Sequence, residues 1–138
     1  MTIFYKDQRL THMQQGDAYL WQKFNEIYPD YFFSVRYDVR VGEGVKLAET
    51  FPAWLKKAAM DLSKKRIDVV GETSKATFII EVRVRAKAAV IGTLLAYRYL
   101  YIASFGQNKP VLTMLITDEV DADLLIALNE LKILYFIV

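Results

Sequence analysis

Hydrophobic residues recur along this chain with two different periods, and the changes of period mark out its elements. GDAYLWQKFNEIY, residues 16–28, has the helical period. At about 100° per residue, Asp17, Leu20, Trp21, Phe24 and Tyr28 share one side, Glu26 lies opposite, and Pro29 closes the helix. FSVRYDVRV alternates strictly, which predicts a half-exposed strand with Val35, Tyr37, Val39 and Val41 on one face and Ser34, Arg36, Asp38 and Arg40 on the other. A Gly-Glu-Gly loop follows, then a helix through PAWLKKAAMDLSKK, with Pro52 in its first turn and Leu55, Ala59 and Leu62 as its apolar side. RIDVVG and TFIIEVRV are short strands joined by GETSKA, a spacing that predicts an antiparallel hairpin.

The stretch AKAAVIGTLLAYRYLYIASFG is helical and apolar nearly all round, so a buried helix stopped by Gly106 is expected. KPVLTMLITD reads as a strand, DEVDADLLIALNEL as a helix capped by Thr117 or Asp118, and KILYFIV as a last strand tucked into a sheet. The order is helix, strand, helix, strand, strand, helix, strand, helix, strand. It predicts an α/β sandwich with a mixed sheet, its first half linked by hairpins and its second by crossover helices.

Composition narrows the chemistry. The chain has 138 residues, enough for one domain with a sizeable core, and 54% of them are hydrophobic. It contains no cysteine and one histidine, His12, which reads as a surface residue at a helix start. Disulfides, thiolate chemistry and histidine-rich zinc sites are therefore excluded. The opening MTIFYKDQRL is too charged for a signal peptide, and Arg98 interrupts the longest apolar run. These features predict no membrane partner and a cytoplasmic or virion-associated protein. A formal net charge of +2 does not by itself announce a nucleic-acid binder.

Two acids stand out because they sit in apolar strands. In FIIEVRVR, Glu81, Arg83 and Arg85 fall on one face, and Asp68 occupies the preceding strand. If the hairpin pairs as its turn suggests, Asp68 and Glu81 point the same way from neighbouring strands. Two close carboxylates repel and need a cation between them. Mg²⁺ suits such a pair, since it takes oxygen ligands and is often held by one or two carboxylates plus a substrate phosphate. An ion there activates water and stabilises charge on a scissile phosphate.

An Asp in one strand, a turn, Glu-x-Arg in the next and a long helix after it resembles the PD-(D/E)xK nuclease superfamily, with its restriction-endonuclease-like fold. The likeness runs from about Asp17 to Thr117, and IGTLLAYRYLY resembles the family's following helix, with Thr93 where a Gln often stands. The resemblance implies an inserted helix before the motif hairpin and a C-terminal helix–strand appendage. It also implies Mg²⁺ or Mn²⁺ held by Asp68, Glu81 and the Val82 carbonyl, with Asp17 as an acid from the first helix. Arg83 takes the place of the family's lysine, and Ile67 stands where a Pro often precedes the Asp. A lysine can trade its proton, whereas an arginine can only stabilise charge. The implied activity is hydrolysis of nucleic acid, DNA before RNA, with Asp68, Glu81 and Arg83 catalytic.

Lys56, Lys57, Lys64, Lys65, Arg66 and Arg85 form a basic rim suited to phosphate backbone. Each feature also has a plainer reading. Asp68 and Glu81 can be ion-paired with Arg66, Arg83 or Arg85, Asp17 can cap its helix, and the aromatics can be core. On that reading the chain is a non-catalytic structural or assembly protein on a decayed nuclease scaffold, of a phage particle for example, acting through homo-oligomers or an assembly partner.

Overall fold

The structure, a computed structural model, describes residues 13–138, so His12 and the opening segment lie outside the described residues. Its elements are α1 (Gln15–Ile27), β1 (Ser34–Val41), α2 (Ala53–Ser63), β2 (Lys65–Glu72), β3 (Thr77–Arg83), α3 (Ala89–Phe105), β4 (Val111–Thr117), α4 (Ala122–Glu130) and β5 (Leu134–Ile137). They form one five-stranded sheet in the order β1-β2-β3-β4-β5. β2 runs antiparallel to both β1 and β3, and β3, β4 and β5 are mutually parallel. The β2–β3 hairpin is tied by Thr73, whose N–H donates to the Ala76 carbonyl at 2.9 Å and whose hydroxyl accepts from the Ala76 N–H at 3.1 Å. The parallel half needs crossovers, which α3 and α4 supply.

Two apolar clusters cover the two faces of the sheet. Leu20, Trp21 and Phe24 of α1 pack with Phe32, Val69, Phe78, Ile80, Val82 and Met114. Val90 and Leu94 of α3 and Leu124 and Leu128 of α4 pack on the other face with Ile67, Val70, Ile79 and Leu115. The result is an α/β/α sandwich. None of α2's described side chains is fully buried; Leu62 is not among those described.

Several sequence expectations need correction. The sequence predicts one face for the four apolar residues of β1, but Val35 and Tyr37 pack on the α1 side while Val39 and Val41 pack on the α3 side. Asp38 lies between them with φ 51°, and this left-handed residue reverses the alternation. α3 is not a buried helix. Val90, Leu94 and Tyr101 are its buried residues, and Tyr99 is 74% exposed. As a crossover helix it covers the sheet with one side only.

The cap of α4 is Asp121, which accepts from the Leu124 N–H at 2.8 Å. Thr117 and Asp118 brace the loop after β3, accepting from the N–H groups of Ala86 and Arg85 at 3.2 and 2.7 Å. The C-terminal strand does join the sheet, but as an edge with Leu134 and Ile137 exposed. Among the described residues no helix is long and apolar enough to cross a membrane.

Candidate functional site

The sheet opens locally where β2 begins and β3 ends. The β2–β3 register pairs Val69 with Ile80, and its continuation sets Asp68 opposite Glu81. Here side chains take over from the carbonyls of the ladder. The Asp68 N–H donates to Glu81 Oε2 at 3.0 Å, and the Val82 N–H donates to Asp68 Oδ2 at 3.2 Å. On the other side of β2, Tyr37 pairs with Val69 and Val39 with Ile67, and the left-handed Asp38 falls between those pairs, opposite Asp68. Ile67 and Val69 consequently pack on opposite faces, so β2 turns over at Asp68 just as β1 does at Asp38.

Between the two acids lies Arg83. Its Nη1 donates to Asp68 Oδ2 at 2.5 Å and to the Val82 carbonyl at 2.8 Å, while Nη2 donates to Glu81 Oε1 at 2.5 Å. The three oxygen donors expected from the sequence to surround a metal ion thus surround one guanidinium. Of the three arginines that could pair with these acids, the structure selects Arg83.

The environment opposes charge on all three groups. Glu81 is fully buried. Burial, reinforced by Asp68, pushes its carboxyl up to about 8 against the pull of Arg83. Burial also raises Asp68, with Arg83 and the Val82 N–H opposing. Burial works against the guanidinium as well, but Asp68 and Glu81 outweigh it and Arg83 stays charged. Removing one member of such a cluster typically costs ~3–5 kcal/mol, because the remaining charge is left uncompensated.

Asp17 does not join this cage. Its carboxylate accepts from the Val84 N–H at 2.8 Å, tying α1 to the end of β3, and its charge adds to the field at Asp68 and Arg83. The N-cap position of its helix is Gln14, and Asp17 lies in the first turn. Among the described residues no three His, Cys, Asp or Glu side chains group closely enough to hold a metal ion.

Two clefts flank the cage. One, of about 350 Å³, is lined by Asp38, Ser63, Lys64, Lys65, Arg66, Asp68 and Tyr97. The other, of about 240 Å³, includes Arg83, Arg85, Lys87 and Thr93 in its lining. Lys56 and Lys57 belong to neither; they pair with Glu49 at 3.0 Å and Asp61 at 2.8 Å. Sequence reasoning missed Asp38, Tyr97 and Lys87. Asp38 gave no signal, since it occupies a regular polar position of the alternating strand. Tyr97 gave none either, and it becomes visible through its raised pKa, caused by burial and then by the charges of Glu81 and Asp68.

No protein-family model and no curated protein matches this chain. Among solved structures, a chain of the EndoMS–dsDNA2 complex is similar, with a TM-score of 0.52 at 15% identity over 99% of this chain and 48% of that one. This chain therefore spans about half the length of its structural neighbour. The likeness is one of fold: a mixed sheet flanked by helices, restriction-endonuclease-like as the sequence predicts.

Proposed function

We propose that this chain hydrolyses phosphodiesters of nucleic acid, DNA in the first instance, in a metal-dependent reaction at the Asp68–Glu81 pair. The observation that carries the reading is the convergence of three oxygen donors, from Asp68, Glu81 and Val82, on one cation between two partly basic clefts. Hard oxygens in this number suit Mg²⁺ or Mn²⁺ when waters and a substrate phosphate complete the shell. When bound, such an ion supplies Lewis-acid polarisation and lowers the pKa of water.

The chain's own residues do the rest. Asp68, Glu81 and the Val82 carbonyl would hold the ion. Arg83, permanently charged, stabilises negative charge on the phosphate and cannot serve as base. Lys64, Lys65 and Arg66 in one cleft and Arg85 in the other bind backbone phosphates. Asp17 positions the end of β3. The structural neighbour's complex with double-stranded DNA supports DNA over RNA.

The test is a panel of end-labelled DNA and RNA substrates incubated with Mg²⁺ or Mn²⁺. Asp68→Ala is expected to abolish cleavage, and Arg83→Lys to retain or raise it. Cleavage that survives Asp68→Ala would sink the mechanism.

A second reading rests on the same guanidinium. With Arg83 docked, the acids already have a cation and the cluster is complete as an ion pair. The chain would then be a non-catalytic assembly protein. Mn²⁺ titration by calorimetry on the wild type and on Asp68→Ala/Glu81→Ala separates the two, since the second reading predicts no difference between them.

A further inference from the structure

The position of Arg83 has a consequence for any ion that enters the site. Asp68 Oδ2, Glu81 Oε1 and the Val82 carbonyl oxygen all face the guanidinium, so a second cation cannot take them while Arg83 is docked. A cage that Arg83 has left needs another cation or a proton between its acids. Glu81 is 0% exposed and the Asp68 side chain 17%, and two carboxylates so buried and so close repel strongly. Arg83 itself has somewhere to go. Its side chain is 38% exposed at the last residue of β3, and it lines the cleft that also contains Arg85, Lys87 and Thr93.

We propose that Arg83 is a built-in competitor for the divalent ion: it fills the cage in the resting protein, leaves when the ion binds, and then serves a backbone phosphate in the neighbouring cleft. This rests on the reading of the cage as a metal site. Ion and phosphate then bind cooperatively through one side chain. A phosphate rewards the undocked guanidinium, an ion rewards the vacated cage, and by linkage each tightens the other equally. Arg83 is the positioning residue that couples them.

The probe is Mn²⁺ alone, titrated by calorimetry and followed by thermal melting on the full chain, with and without a hydrolysis-resistant phosphorothioate DNA duplex. Arg83→Met is expected to bind Mn²⁺ about tenfold or more tightly than the wild type, within the usual range of coupling between sites. Its melting temperature, below the wild type's in chelator, should rise further on Mn²⁺ addition. The duplex should tighten Mn²⁺ binding more in the wild type than in Arg83→Met, where only direct ligation of the ion by phosphate remains.

If the wild type binds Mn²⁺ saturably, loses it in Asp68→Ala/Glu81→Ala, and Arg83→Met binds no more tightly, the competition is overturned while the metal site stands. If no variant binds Mn²⁺ at the two acids, the metal reading falls and takes the inference with it. Should Arg83→Met fail to fold, Arg83→Lys decides. An ammonium lacks the fork that spans both acids, so this variant must bind Mn²⁺ more tightly than the wild type, and equal or weaker binding overturns the proposal.

Discussion

Glu81 has a carboxyl that titrates at about 8 in the folded chain, against an ordinary 4.5, because burial and then Asp68 disfavour its charge. Between those values the native state holds a proton that the unfolded state has released. The stabilising contribution is therefore complete below the unfolded value and is lost as pH rises through the folded one. Chemical denaturation from pH 5 to 8 should show wild-type stability falling across this window, with the fall largely removed in Glu81→Gln; identical slopes would contradict it. Asp38 makes a different demand, on the backbone, since its φ of 51° is tolerated by Asp or Asn but strained for a β-branched residue. Asp38→Val should cost about 1–2 kcal/mol or more in urea denaturation and Asp38→Asn well under half of that. These two acids differ in how far sequence exposes them. Glu81 and Asp68 declare themselves as charges in apolar strands. Asp38 hides in a pattern that looks regular, because alternation records which residues are apolar and not which face each apolar residue meets.

α1 was predictable from one-sided periodicity because only its apolar side meets the sheet, and the central strands were legible as short apolar runs because both of their faces are covered. α3 was not, because its apolar circumference says nothing about what packs where, and only one side meets the sheet. The α4 cap shows the same limit, since Thr117, Asp118 and Asp121 are all competent caps and only the fold assigns the first two to the loop after β3. β2 contains a further constraint that composition conceals. A Cβ on Gly71 would lie 2.6 Å from Cδ1 of Phe32. That ring cannot yield cheaply, as its centroid is 4.8 Å from Tyr31's and 5.7 Å from Phe78's, and it is itself buried. Gly71→Ala should thus destabilise by about 1–3 kcal/mol through overpacking. Combining it with Phe32→Leu should cost less than the sum of the two single changes, and additive costs in a double-mutant cycle would refute the contact.

The sandwich brings the acids, the end of β3 and the two flanking clefts together at one end of the sheet, and this arrangement sorts the basic residues that composition leaves undivided. A net charge of +2 is neutral on partners. Position is not. Lys64, Lys65 and Arg66 line the cleft that contains Asp68, whereas Lys56 and Lys57 are already paired with Glu49 and Asp61. Each phosphate neutralised on duplex DNA releases counterions and steepens the fall of log K with log salt by about 0.9. Binding of a DNA duplex should therefore be measured by fluorescence anisotropy in chelator across a salt series. Replacing Lys64, Lys65 and Arg66 together by Ala should flatten the slope by up to about 2.7, at about 0.9 for each of the three phosphates no longer neutralised. Replacing Lys56 and Lys57 should leave it nearly unchanged, because their charges are spent within the chain. Equal effects from both sets would mean that nucleic acid is attracted by diffuse charge and that the cleft does not bind it. A flattened slope confined to the first set would place the phosphate backbone beside Asp68.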